Sequence, residues 1–333
     1  MGKRIIASAL DFPGVQSVLW HGHWEKIWTR IDFQDLDTIE QDENTTIILG
    51  AFTPSYTQVI HKLKEKGFKV GIFWTSSLGQ MEQVPEEIDL FNQATLFLQK
   101  GELDFALCGD WTLPLILERG LIYAPYPISF KLARPINIPK ESKIGMFLPQ
   151  HSRKNILNQV FSLPLLLSKM FPTVELHHNL MLPHPPIANI PYAFITDQPS
   201  FLKILGGLRV SLMVTHTESF GYSFVDAVLA GTIPILGPAM AEYFREDCFP
   251  DFAIPIVCPN PDSPREIALT IAPWLECSDS TYKEAITELR AGLKRLAKKN
   301  NAQLKKILGG SLWITSHYAK SGTTERIIFQ EAE

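Results

Sequence analysis

Residues 210–237 read VSLMVTHTESFGYSFVDAVLAGTIPILG, and this stretch sets the architecture of the chain. Val210–Thr215 is a short apolar run with β-branched members, the composition of a strand buried in a parallel sheet. Val225, Val228 and Leu229 recur at helical spacing and suit a helix packed on that sheet. Gly231 stops the helix, and Thr232–Leu236 opens the next buried strand. Thr217 or Ser219 is placed to cap the helix start. Glu218 therefore falls where a strand hands over to a helix N-terminus. In open α/β sheets that edge binds ligands.

Asp226 follows Glu218 by eight positions, slightly more than two helical turns, so a helix would roughly align the two carboxylates. Gly221, between them, lets backbone N–H groups come close to a ligand. N–H groups at a helix start favour a phosphate. A carboxylate next to a phosphate repels it, so Glu218 is better matched to neutral hydroxyls. The combination points to a phosphorylated, polyhydroxylated ligand such as a nucleotide sugar. The plainer reading is an ordinary βαβ unit with a surface Glu and a helical Asp.

Residues 218–227, ESFGYSFVDA, followed by AGTIPI at 230–235, resemble the E-x7-E region of retaining glycosyltransferases of family 4. Asp226 stands where that family more often has Glu. The resemblance extends over roughly residues 143–275. It implies an α/β chain of GT-B architecture, two Rossmann-like domains whose parallel sheets face a central cleft. The donor, a nucleoside diphosphate sugar, would be held mainly by the C-terminal domain. Glu218 would hold sugar hydroxyls and Asp226 the ribose, with Ser219, Phe220, Gly221 and Tyr222 at the diphosphate.

The length, 333 residues, fits two domains of ordinary size. The expected division is an acceptor-side domain at 1–127, a linker at 128–142, a donor-binding domain at 143–308 and a final segment at 309–333. The net charge of −4 gives no support to a nucleic-acid partner. Cys108, Cys248, Cys258 and Cys277 form no C-x-x-C pair and read as reduced thiols of a cytoplasmic protein. The apolar run after Arg4 is too short for a signal-peptide core, and no run is long enough to span a bilayer.

In the first domain, strands expected at 3–10, 45–52, 69–74 and 104–107 alternate with helices at 16–30, 55–66 and 86–99. The resemblance implies that the loop with Gly14 faces the donor phosphates, the alternative being a plain Pro-Gly turn. Asp110, at the end of a strand facing the cleft, is a candidate for orienting the acceptor, with an N-cap for a helix at 111–119 the favoured alternative. His21 and His23 form an H-x-H without an evident third ligand and read as core or surface histidines. Asp35-Leu36-Asp37 reads as a solvated charge run. His61, Lys62, Lys64, Lys66 and Lys69 also read as a solvated face, with peripheral contact to the inner face of an anionic membrane as the alternative.

Residues 122–140 are proline-rich and read as the linker. A strand at 143–148 leads into Arg153-Lys154-Asn155 and a helix at 156–170. A basic pair is unfavourable at a helix start unless it meets an anion, and the resemblance puts the donor diphosphate there. It also implies that the segment Phe194–Thr196, including Thr196, lines the nucleobase pocket. The resemblance further implies a last crossing back to the first domain, which Ser311–Tyr318 would make.

The function this implies is sugar transfer from a nucleotide sugar to a glycan, lipid or small-molecule acceptor, with retention and without a metal or other cofactor. Two rivals remain: a sugar-nucleotide 2-epimerase of the same fold, and a non-catalytic sugar-nucleotide-binding or interaction protein.

Overall fold

The computed structural model describes residues 4–309 except 11–12, 41, 43, 111–112, 115–119, 137–142, 149–151, 168–174, 179–187, 192–197, 219 and 243–254. Two parallel sheets form the frame. The first runs β2-β1-β3-β4-β5-β6, from β1 (Arg4–Ser8), β2 (Thr29–Arg30), β3 (Thr45–Gly50), β4 (Lys69–Trp74), β5 (Phe105–Cys108) and β6 (Leu121–Tyr123). The second runs β11-β10-β7-β8-β9, from β7 (Lys143–Met146), β8 (Glu175–His178), β9 (Ala188–Pro191), β10 (Val210–Met213) and β11 (Ile233–Leu236). Every pairing in both sheets is parallel. Buried apolar runs such as Thr45–Gly50 suit strands covered on both faces.

The helices between the strands are α1 (Pro13–Trp24), α2 (Tyr56–Glu65), α3 (Leu78–Gln83) and α4 (Pro85–Gln99) in the first half. In the second half they are α5 (Ile156–Leu167), α6 (Gln198–Gly206), α7 (Tyr222–Ala230), α8 (Pro238–Glu242), α9 (Pro264–Glu276) and α10 (Asp279–Gly309). α9 packs on α5, and α6 and α10 pack on α7. One buried apolar cluster fills the far side of the first sheet, around Phe52, Tyr56, Phe68 and Phe91. A second joins α1 to α7 through Tyr126, Phe220 and Tyr222, so the two halves share a core.

Several expectations are revised. Gly14 is the second residue of α1, in a helical turn where a loop was expected. The Pro-rich stretch contributes β6 to the first sheet. The helix α3 was not foreseen, and the segment Phe194–Thr196 lies outside the described residues, with β9 just before it. α10 is one helix of 31 residues, roughly 46 Å long. Asn300 Nδ2 donates to Tyr126 O (3.0 Å) and Asn301 Nδ2 to Ile128 O (2.7 Å), so α10 ties the second half to the chain leaving the first sheet. The crossing expected at Ser311–Tyr318 lies outside the described residues.

Lys64 reaches Asp104 at 2.6 Å and Lys62 reaches Asp37 at 3.5 Å, as a solvated, paired face does. Asp35 and Asp37 sit in a short 3-10 helix, Phe33–Thr38. Among the described residues no helix is long and apolar enough to cross a membrane.

Cys108 closes β5 with no exposure, and its Sγ donates to Asp110 O at 3.0 Å. Burial pushes its thiol up to about 12. Since the thiolate is the nucleophile, iodoacetamide at pH 8 is expected to leave Cys108 unmodified in the native chain and to alkylate it in urea. Peptide mass spectrometry checks this; native labelling faster than unfolding would contradict the placement.

Candidate functional site

Two loops at the carboxyl edge of the second sheet build the site. One follows β7 and ends in a 3-10 turn, Ser152–Lys154, before α5. The other follows β10 and runs into α7. Asn155 joins them. It takes a left-handed backbone conformation (φ 53°), which asparagine tolerates better than most residues. Its side-chain amide donates to Val214 O (3.1 Å) and Pro261 O (2.5 Å). Gln159 Nε2 donates to Lys154 O (2.8 Å), while Gln159 Oε1 accepts from Val214 N (3.0 Å). His216 N donates to Arg153 O at 2.8 Å. These amide bridges hold the basic loop against the acidic one.

Lys154 and Glu218 meet as an ion pair, Nζ against Oε1, with 4 % and 7 % of each residue exposed. Burial, and then the Arg153 charge, push the Lys154 ammonium well below its ordinary range. The Glu218 carboxylate pulls the other way, so each charge depends on its partner. Arg153 Nη1 donates to Thr217 O at 3.3 Å. Burial also lowers the pKa of Arg153, opposed by Glu87 of α4. Around the pair, Arg153 Nε, Thr215 Oγ1 and Thr217 Oγ1 are buried without hydrogen-bond partners. Such atoms call for an explanation in a native fold, and a polar ligand is one.

The start of α7 differs from expectation. Its N-cap is Gly221 at φ 87°, not Thr217 or Ser219, and no side chain caps it. A non-glycine residue would be strained in that conformation, and an added Cβ would lie 3.1 Å from Met240. The first N–H groups of α7 therefore have no side-chain acceptor from the cap residue. The side chains of Phe220 and Tyr222 turn inward: Phe220 stacks on Tyr126 (4.6 Å) and Tyr222 OH donates to Pro127 O (2.7 Å). Only their backbone is left for a donor.

Asp226 is on the same helix but beneath it, 1 % exposed. Its Oδ1 accepts from Gln198 Nε2 at 2.6 Å and faces His21 Nε2 of α1 at 3.4 Å. His21 Nδ1 accepts from Ser129 N at 2.8 Å, which leaves Nε2 to carry the hydrogen towards Asp226. Asp226 is thus a tie between the two halves of the molecule and has Oδ2 left for any other partner.

Asp110, 4 % exposed, accepts at Oδ2 from Leu78 N (3.4 Å), the first N–H of α3. It meets the start of α3, whose N-cap is Ser77, whereas most of the helix expected at 111–119 lies outside the described residues. Ser219, Phe194 and Thr196 also lie outside them. His21 and His23 diverge, His23 Nδ1 accepting from Arg30 N at 3.3 Å. Among the described residues no three His, Cys, Asp or Glu side chains gather as metal ligands would.

No protein-family model matches the chain, and no curated protein matches it by sequence. Solved structures do match it in shape. A UDP-forming α,α-trehalose-phosphate synthase from Burkholderia vietnamiensis superposes with a TM-score of 0.56 at 10 % identity, over 93 % of this chain and 99 % of that one. A trehalose-6-phosphate enzyme from E. coli bound to UDP-2-fluoro glucose gives 0.55 at 13 %, over 83 % and 75 %. The chain has the GT-B fold. A UDP-forming synthase from Burkholderia xenovorans in complex with glucose-6-phosphate gives 0.56 at 10 %, over 87 % of this GT-B chain and 79 % of its own.

Proposed function

We propose that the chain is a glycosyltransferase that moves a sugar from a nucleoside diphosphate sugar to an acceptor hydroxyl, with retention and without a metal. The observation that carries this is the buried Lys154–Glu218 pair, with Arg153 beside it and unpartnered polar atoms around it. Glu218 is the acceptor for sugar hydroxyls. Lys154 and Arg153 face the diphosphate. As the bond from the anomeric carbon to the diphosphate oxygen breaks, its electron pair leaves with the diphosphate. Negative charge grows there and positive charge on the sugar carbon, to which the acceptor oxygen bonds on the same face as its hydroxyl proton passes to the departing diphosphate. Fixed cations at the leaving oxygen are stronger in the transition state than in the ground state, which is what lowers the barrier. Closure of the cleft would exclude the water that otherwise hydrolyses the donor.

The UDP-forming neighbours make UDP the first nucleotide to test. Thermal unfolding is to be followed with UDP, UDP-glucose, GDP and ADP. Ligand at a hundredfold its Kd stabilises by about 2.7 kcal/mol. Stabilisation by one nucleotide and its sugar conjugate is the expected result; no shift with any of them would overturn the reading. A product whose sugar is epimerised, with no glycoside formed, would point to the 2-epimerase instead. UDP release from the donor is expected to be unchanged by EDTA, and loss restored by a divalent ion would reject the metal-free mechanism.

A further inference from the structure

We infer that the acceptor is an uncharged molecule with an apolar portion beside its reactive hydroxyl, and not a sugar phosphate. The inference rests on the transferase reading above. It comes from a pocket of about 380 Å³ on the first half of the molecule, lined by Leu78, Gly79, Met81, Glu82, Ile88 and Phe91 among others. That volume falls within the range of small-ligand sites, which are mostly apolar with a few polar groups.

The pocket adjoins the candidate site. An added Cβ at Gly79 would lie 3.1 Å from Thr217 Cγ2, one residue before Glu218. α3 packs on the Ser152–Lys154 turn. Gly79 is thus a wall common to the pocket and the acidic loop.

The walls decide the class. Phe91 and Met81 are buried, but Ile88 is 42 % exposed, an apolar side chain presented to whatever fills the pocket. Charge is one-sided. From Val70 to Gln99 the chain has no Lys or Arg, while Glu82, Glu86, Glu87 and Asp89 fall within it. The Glu87 charge already acts on Arg153, and its carboxylate accepts from Gln80 Nε2 at 2.8 and 3.1 Å. A phosphate on the acceptor would meet carboxylates with no cation from α3 or α4 to offset them. A neutral hydroxyl can instead donate to Glu82.

The full-length protein is to be titrated calorimetrically with UDP. With UDP saturating, it is then titrated with 4-nitrophenyl β-D-glucoside as the neutral probe and glucose 6-phosphate as the anionic one. The neutral probe is expected to bind at least about tenfold more tightly. Ile88→Lys, at an exposed position where the fold should hold (checked by Tm), is expected to reverse that preference. Glu82→Lys is expected to strengthen glucose 6-phosphate binding. Glucose 6-phosphate binding as tightly as the neutral probe would overturn the inference, and so would two variants that leave both affinities unchanged. The two readings fail separately. UDP binding without discrimination between the probes removes the pocket and leaves the donor site. Discrimination that responds to Ile88→Lys without UDP binding does the opposite.

Discussion

Lys154→Met is expected to destabilise the folded protein by about 3–5 kcal/mol and to abolish binding of UDP-glucose. The substitution keeps most of the side chain's length and removes its charge. Glu218 is then left ionised and 7 % exposed, with no cation against its Oε1. The Arg153 guanidinium is turned to Thr217 O, to which its Nη1 donates, rather than to Glu218. An unpaired buried carboxylate must be desolvated or take up a proton, and both routes are unfavourable at neutral pH. The double variant Lys154→Met/Glu218→Leu removes both charges together. It is expected to recover most of the lost stability, since an apolar pair of similar volume often does as well as a buried ion pair. It should not recover UDP-glucose binding. Urea unfolding reads the first quantity and calorimetry the second. If Lys154→Met unfolds at the wild-type urea concentration, the pair is not buried as described. If the double variant is no more stable than the single one, the loss came from packing rather than from charge.

The sequence marked each member of this pair, though not their pairing, because both sit on local signals. Glu218 lies between an apolar run and a helical period, and Arg153-Lys154 lies just before a helix start where cations are otherwise unfavourable. The alternation of strands and helices made both sheets legible in the same way. What escaped was long-range. His21 and Asp226 are 205 residues apart, and no periodicity links them. His21 could be read only as one of an H-x-H pair. α3 is six residues long with no apolar repeat to announce it, so the pocket on that side was invisible too. The role expected for Thr217 or Ser219 failed for a local reason. Gly221, in a left-handed conformation, starts the helix later than the polar residues suggest.

Asp226→Ala is expected to destabilise the protein by about 3 kcal/mol, while Asp226→Asn should lose about 1 kcal/mol. The difference tests what the carboxylate is for. Alanine leaves the Gln198 amide and the His21 Nε2–H without their shared acceptor, in a region where His21 is fully buried and Gln198 is 6 % exposed. Unmet buried donors are what make such truncations large. Asparagine keeps one oxygen at the Oδ1 position, and the neighbours need only that. The stacked contact of His21 with Tyr222 at 4.9 Å also remains in both variants, so packing is a constant across the comparison. Equal losses from alanine and asparagine would show that the charge, not the acceptor atom, holds the halves together. UDP affinity, measured on the same samples, separates this from the ribose role. A tie between helices predicts that Asp226→Asn binds UDP nearly as well as the wild type. A fall of tenfold or more would mean that the nucleotide reaches the carboxylate through Oδ2 while Oδ1 keeps its two partners. Asp226 would then serve the donor and the junction between the halves at once, which would couple donor binding to the closure of the cleft.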